Sequence, residues 1–285
     1  MKKSVEQNNL PKKVKFNYRK KYRKYGTYFL SKFVRLFIGK YKFINFDVID
    51  KTKPFILITN HRMMFGPLFN VATMPLKLTP VIDYMVLDKV TMKTDIKDGL
   101  LKYKFPQFIA SSGAWFCCSV VNKLMWALDP IPVYRDNRIL STFKLVQQKL
   151  ESGQSLVIMP EDPTKFGQVV FKKEVCQINE GPAQMAYLYH KKMGFPINVY
   201  CALHCKEERV SRISGPLHFD ITKTDIQKER LDFTQRIYNA LKTLEEDNKR
   251  DIELGIVKTK KKYIKAEKKE QKRKLKDEQR KQKQN

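Results

Sequence analysis

The chain has 285 residues, 42% of them hydrophobic and 12% aromatic, which is enough for one sizeable packed core. The net charge of +28 is concentrated at the ends, because residues 1–42 carry +13 and residues 258–285 carry +10, which leaves +5 between them. The five cysteines are odd in number and include no CxxC pair, which argues against a disulfide framework and favours a reducing compartment.

The N-terminal segment combines basic residues with apolar residues at helical spacing. The apolar positions are Leu30, Phe33, Val34, Phe37, Ile38 and Tyr41. Such a helix either packs on the core or lies on an anionic membrane, and the dense lysines and arginines upstream favour the membrane. No signal peptide is recognised, since a compact apolar stretch with a small-residue cleavage site is missing. We therefore predict a basic amphipathic, membrane-associating segment over residues 1–46.

Short apolar runs alternate with helix signals through the middle of the chain. Buried strands are predicted at residues 54–60, 81–88, 155–159 and 196–203. The last of these contains the stretch CALHC, whose Cys201 and Cys205 we interpret as buried strand residues. A metal site is not predicted there, because no second ligand pair lies at zinc spacing.

Helix signals lie between these runs. A helix beginning near Ile139 is predicted to end at Gly153, and another begins at Pro182 and ends at Gly194. Thr224 fits the first position of a capping box that opens a third helix. Alternation of strands and helices predicts an α/β fold with a sheet covered on both faces.

The predicted α/β domain spans residues 47–247, and a Lys/Glu-rich tail that is helical or disordered follows at residues 248–285. The longest uncharged window, residues 105–122, contains a proline, a glutamine and three serines. It is too polar to cross lipid comfortably, so contact with a membrane is predicted to be at its surface.

Four motifs follow one another in a recognisable order. They are NHRMMFGP (60–67), IPVYRDNR (131–138), VIMPEDPTK (157–165) and FPINVY (195–200). From about residue 45 to residue 220, this order and spacing resemble the glycerolipid acyltransferases, the family of lysophosphatidic acid and glycerol-3-phosphate acyltransferases. The resemblance implies a mixed α/β sheet covered by helices, and transfer of a fatty acyl group from a thioester to a hydroxyl.

The resemblance also implies roles for individual residues. The histidine of the first motif, His61, would be the general base that takes the proton of the acceptor hydroxyl. Arg135, Glu161 and Lys165 would bind the acceptor, with Lys165 replacing the family's arginine as a point charge on its phosphate. The implied acyl donor is acyl-CoA or acyl carrier protein, with no metal and no further cofactor.

The first motif departs from the family at its aspartate, five residues after the histidine, where this chain has Gly66. That aspartate orients the imidazole and stabilises its charged form, which glycine cannot do. In an unrelated Ser-His-Asp triad, removing the charge of the carboxylate lowers kcat by about 10⁴. A replacement carboxylate could come from Glu161, Asp162 or Asp136, and the sequence leaves that choice open.

Three functions from different classes stand open at this point. The first is an acyltransferase acting on a lysophospholipid or glycerol phosphate, peripheral or monotopic on the inner, cytoplasmic face of an anionic membrane. The second is a lipid-binding protein that keeps the fold without the chemistry, as Gly66 suggests. The third, a nucleic-acid-binding protein, is suggested only by the basic ends; nucleic acid is not the expected partner, because the core is nearly neutral and carries no recognised binding motif.

Overall fold

The computed structural model describes residues 41–61, 73–102, 104–161, 175 and 177–260. The predicted N-terminal amphipathic helix and residues 261–285 of the charged tail lie outside these ranges, as do residues 62–72 and 162–174. The predicted domain boundaries at residues 46 and 247 fall inside the described ranges, where a strand (Lys42–Ile44) lies before the first and a helix (Ile226–Glu253) continues past the second. Both boundaries stay predictions.

A single sheet forms the centre of the fold. The described residues contribute seven strands: β1 (Lys42–Ile44), β2 (Phe55–Thr59), β3 (Leu78–Asp83), β4 (Ile131–Val133), β5 (Ser155–Ile158), β6 (Asn198–Cys205) and β7 (Val210–Ile213). Their order is β1-β7-β6-β2-β5-β3-β4, and among these pairs β6–β7 alone is antiparallel. Strands β2 to β6 therefore all run in one direction, and their carboxyl ends meet along one side of the sheet, called here the carboxyl edge.

Among the described residues, five α-helices lie in connections between these strands, and a sixth follows β7. They are α1 (Tyr84–Leu87), α2 (Lys89–Lys102), α3 (Gln107–Ala127), α4 (Ile139–Glu151), α5 (Gly181–Met193) and α6 (Ile226–Glu253). Within the described residues, no helix combines the length and the apolar character needed to cross a membrane.

Both faces of the sheet are buried. On one face, α4, α5 and α6 pack over a core that includes Ile56, Ile58, Val146, Leu150, Ala183, Tyr189, Phe233 and Ile237. On the other face, Leu57 and Tyr200 pack with the segments around Ile49, Met74 and Leu128. All five residues of β2 are buried, as expected for a parallel strand covered on both sides. The predicted α/β fold with a mixed, helix-covered sheet is confirmed.

Several predicted elements are also confirmed in detail. The runs at 54–60 and 155–159 form β2 and β5. The helices predicted to end at Gly153 and Gly194 do so, and both glycines have left-handed backbone conformations, with φ of 76° and 78°. A side chain at either position would strain this conformation, which explains why glycine ends both helices.

The strand predicted over 81–88 is wrong in its second half, because β3 ends at Asp83 and α1 follows directly. The Asp83 carboxylate accepts a hydrogen bond from the backbone N–H of Met85 at 2.9 Å, which caps α1. A capping aspartate at the end of an apolar run therefore stops the strand where hydrophobicity alone would continue it.

The capping box assigned to Thr224 is wrong by one residue. Asp225 caps α6, since its Oδ1 accepts a hydrogen bond from the backbone N–H of Lys228 at 2.9 Å. The strand predicted over 196–203 lies two residues further on, as β6.

The two cysteines of the CALHC stretch lie in β6, as predicted, and both are fully buried. Burial raises the pKa of the Cys201 thiol to about 12, so it stays protonated at neutral pH. In the part of the chain that the structure describes, no three His, Cys, Asp or Glu side chains are grouped to hold a metal ion.

Candidate active site

Polar side chains lie side by side along the carboxyl edge, because five parallel strands end there. In order across the sheet these are His204 near the end of β6, His61 after β2, Glu161 after β5, Asp83 at the end of β3 and Arg135 after β4. Neighbouring strands lie about 4.8 Å apart, so the backbones of β2 and β4, three steps apart, are separated by about 14 Å. Ligands of open α/β sheets bind at this edge.

His61 is half-buried at this edge. Burial lowers the pKa of its imidazole below the ordinary value of 6.5, because the charged form is poorly solvated; a backbone hydrogen bond opposes this effect more weakly. An imidazole with a lowered pKa is neutral at pH 7. His61 can therefore accept a proton, as a general base must.

Glu161 is brought to His61 by the pairing of β2 with β5. Its Oε2 accepts a hydrogen bond from the backbone N–H of His61 at 2.8 Å, and the residue is buried. The glutamate itself is held by an antiparallel bridge to Ile178. Next to it, the carbonyl of Pro160 accepts hydrogen bonds from the backbone and side-chain nitrogens of Asn179, at 3.1 and 2.8 Å. This carboxylate therefore fixes the backbone of His61.

Asn60, the residue before His61, links the chain to the strand on the other side of β2, β6. Its Oδ1 accepts a hydrogen bond from the backbone N–H of His204 at 2.8 Å, and its Nδ2 donates to the carbonyl of His204 at 3.2 Å. The side-chain amide thus continues the β2–β6 ladder beyond Thr59, the last paired residue of β2. His61 is consequently positioned by both neighbouring strands.

Arg135 lies at the far end of the site and pairs with Asp83. Its Nε donates to Asp83 Oδ2 at 2.7 Å, and the arginine side chain is 61% exposed. Because β3 lies between β4 and β5, this contact turns the guanidinium toward the His61 side of the edge. The Asp83 contact uses Nε, and the side chain is largely exposed, so the two terminal nitrogens can donate to an anion that approaches them. The sequence did not single out Asp83, because the strand there was predicted to continue to residue 88, which placed Asp83 inside the strand and not at its end.

Two of the carboxylates considered as replacements for the motif aspartate, Glu161 and Asp136, are among the described residues. Of these two, Glu161 contacts His61. Asp136 instead pairs with Arg138 through both carboxylate oxygens, which lowers the pKa of Asp136 to about 2. The Arg138 guanidinium also stacks over the rings of Tyr84 and Tyr134, 5.0 and 4.3 Å from their centroids. Arg138 and Asp136 therefore form a local structural unit.

Three further positions of the predicted site lie outside the described residues. They are Gly66, Asp162 and Lys165. The role assigned to Lys165 as a phosphate contact stays a prediction, as do the substrate-binding roles of Arg135 and Glu161 and the catalytic role of His61.

Comparison with known proteins gives a likeness in structure. The chain is similar to PlsC, the 1-acyl-sn-glycerophosphate (LPA) acyltransferase from Thermotoga maritima, with 13% sequence identity and a TM-score of 0.48. The alignment covers 80% of this chain and 83% of that one. No protein-family model matches the sequence, and no curated protein matches it. The function must therefore be inferred from the residues of this chain.

Proposed function

We propose that this protein is an acyltransferase. It moves a fatty acyl group from a thioester donor, acyl-CoA or acyl carrier protein, to the hydroxyl of a lysophospholipid or a glycerol phosphate. The observation that carries the proposal is the setting of His61. The histidine of the first acyltransferase-like motif lies at the carboxyl edge with a lowered pKa, and the glutamate of the third motif holds its backbone.

In the proposed reaction, the neutral imidazole of His61 takes the proton of the acceptor hydroxyl as the oxygen attacks the thioester carbonyl. The new C–O bond forms the ester, the C–S bond breaks, and the departing thiolate takes the proton back from the imidazolium. A positioned base of this kind contributes about 10²- to 10⁴-fold to the rate. The lowered pKa supports this role, because most of the imidazole is in its basic form at neutral pH.

Arg135 is the proposed contact for the acceptor phosphate. The backbones of β2 and β4 lie about 14 Å apart, which sets the scale of the gap that an acceptor must bridge between His61 and Arg135. In the proposed complex a three-carbon phosphate acceptor lies between them, with its hydroxyl at His61 and its phosphate at the guanidinium. The Asp83 contact at Nε supports this arrangement, since it leaves the two terminal nitrogens to form a bidentate pair with phosphate oxygens. Lys165 is proposed as a second positive charge there.

The proposed location of the protein is the inner, cytoplasmic face of a membrane, where lysophospholipid acceptors are found. The basic, amphipathic character of residues 1–46 supports peripheral or monotopic attachment to anionic lipid.

Acyl transfer by three proteins, measured side by side with a panel of acceptors, tests the proposal. The wild type should form ester, and His61→Ala should lose at least about 10²-fold in rate. Gly66→Asp should match or exceed the wild type, because it restores the motif carboxylate. The matched control is His218→Ala, an exposed histidine hydrogen-bonded to Asn198 at the amino end of β6, which should keep the wild-type rate. Wild-type transfer at background with every acceptor would contradict the proposal.

A lipid-binding protein without chemistry is the alternative, because Gly66 stands where the resembling family has its orienting aspartate. An inert wild type that gains activity in Gly66→Asp would indicate a scaffold that has lost its catalytic partner. Lipid binding by proteins that are inert in all three forms would support the binding function instead.

A further inference from the structure

We propose that the hairpin formed by α2 and α3 docks on an anionic lipid bilayer through an exposed apolar surface. This surface, the hairpin face, consists of Phe105, Phe108, Ile109, Trp115, Phe116 and Val120, and every one of these side chains is exposed. The inference does not rest on the proposed acyl transfer, since a binding protein could use the same surface.

Helix α3 turns its small residues inward. Ala110 and Ala114 are 0% exposed, and Cys118 is 1% exposed. Gly113 lies so close to α2 that a Cβ added there would be 3.5 Å from Cδ1 of Leu100. The two helices therefore pack through small side chains, and the bulky residues of α3 have no room between them.

The bulky residues of α3 accordingly point outward. Phe108 is 73% exposed, Trp115 60% and Phe116 65%. Phe108 and Trp115 are seven residues apart, which is two helical turns, so they lie on one side of the helix. Several large aromatic side chains exposed on one helix of a soluble protein indicate a contact with a partner or a membrane.

The hairpin projects past the carboxyl edge. Leu128, just after α3, shares a buried cluster with Leu78 at the start of β3. Asn122 in contrast donates a hydrogen bond to the carbonyl of Leu87, beyond the end of β3, at 2.8 Å. α3 thus runs antiparallel to β3. The part of α3 before Cys118, which begins at Gln107, extends about 16 Å beyond Cys118 in the direction away from the sheet. The hairpin face is therefore on the side of the molecule that carries His61.

The charge around the hairpin face favours an anionic membrane as the partner over a protein. The whole hairpin, residues 89–128, carries six lysines against two aspartates, Asp95 and Asp98, and neither aspartate belongs to the hairpin face. Lys104 directly precedes the hairpin face, and Lys123 follows it within one turn of Val120; both lysines are exposed. Aromatic rings between flanking lysines suit a bilayer, where the rings enter the acyl boundary and the ammonium groups meet anionic headgroups.

Fluorescence of Trp115 tests the proposal directly. The chain has two tryptophans, so Trp126→Phe leaves Trp115 as the reporter. The full chain with this change is mixed with vesicles of phosphatidylcholine and phosphatidylglycerol, with and without brominated acyl chains. We expect a blue shift of the emission and strong quenching by the brominated lipid. If the protein floats with the vesicles but its tryptophan emission neither shifts nor is quenched, the proposal is overturned and binding is assigned to the basic ends. A blue shift that depends on protein concentration without lipid would overturn it in favour of a second copy.

A double variant supplies the second measurement. Phe108→Ser with Phe116→Ser should lower the vesicle partition constant about tenfold or more, because two exposed rings no longer enter the lipid. The matched control, Leu140→Ser with Leu231→Ser, removes two apolar side chains that are 76% and 51% exposed on other helices, and should leave it unchanged. Far-ultraviolet circular dichroism checks that both variants fold. Equal partitioning of wild type and hairpin variant would overturn the proposal.

Discussion

Acidification should destabilise this protein through one buried histidine, His204. The residue is 6% exposed, and within the described part of the chain neither of its ring nitrogens has a hydrogen-bond partner. The ring of Tyr41 packs edge-on against it, with centroids 6.1 Å apart. Burial lowers the pKa of His204 from 6.5 to about 4, since the charged imidazolium would be desolvated.

The shift sets both the sign and the size of the effect. Between pH 6.5 and 4 the unfolded chain binds a proton at this histidine and the folded chain does not, so the free energy of unfolding decreases as the pH falls. The decrease amounts to about 1.4 kcal/mol at about pH 5.5 and to about 3 kcal/mol once the pH is below both pKa values, where it levels off.

Urea unfolding at a series of pH values measures the effect against His204→Leu, which keeps the apolar bulk and removes the titrating group. The free energy of unfolding of the variant should fall less than that of the wild type, by about 3 kcal/mol between pH 7 and 4. The control His218→Gln, at an exposed histidine, should follow the wild type. Parallel curves for the wild type and His204→Leu would refute the reasoning.

Three further predictions concern the framework of the site and the acceptor. Asn60→Ala should lower the free energy of unfolding by about 3 kcal/mol in urea, because it leaves the buried N–H and carbonyl of one residue of β6 without their partners; a loss under 1 kcal/mol would show that the amide clamp is dispensable. Asp251→Ala should cost about 3 kcal/mol by the same measurement, because the side chain of Arg212 is 7% exposed and pairs with this carboxylate; an unchanged midpoint would mean that water replaces the partner. Arg135→Ala should raise the KM for a phosphate-bearing acceptor about tenfold or more in a steady-state assay, with Arg135→Lys between it and the wild type; an unchanged KM would remove Arg135 from the phosphate site.

Elements whose signals are local could be predicted from the sequence. The strand predicted at 54–60 contains an unbroken apolar run from Phe55 to Ile58, and all five residues of β2 are buried. The helix α5 has Pro182 in its first turn and is terminated by Gly194, whose left-handed backbone conformation favours glycine. In these elements one short segment carries all the information that the structure uses.

Helix α3 was missed because its pattern is inverted. Its large apolar residues face outward and its small ones inward, so hydrophobic periodicity gave no signal for the buried side. The end of β3 was missed for a different reason, since capping by Asp83 overrides an apolar run that continues through α1.

The arrangement of the candidate site depends on sheet order, which local sequence does not encode. Glu161 contacts His61 across 100 residues of chain because β5 lies beside β2. Asn60 meets His204 across 144 residues because β6 lies on the other side of β2. The motifs could suggest which residues belong to one site, whereas their contacts follow from how the strands are ordered.

The pH dependence of acyl transfer tests the role of His61 most directly. Thiol release that depends on the acceptor is measured from pH 5 to 8 for the wild type and for His61→Ala. We predict that the wild-type kcat/KM falls on the acid side with an apparent pKa below 6.5, because the base must be neutral and burial lowers its pKa. The variant should lose this acid limb together with at least about 10²-fold in rate. A His61→Ala protein with the wild-type rate and the wild-type profile would contradict the account.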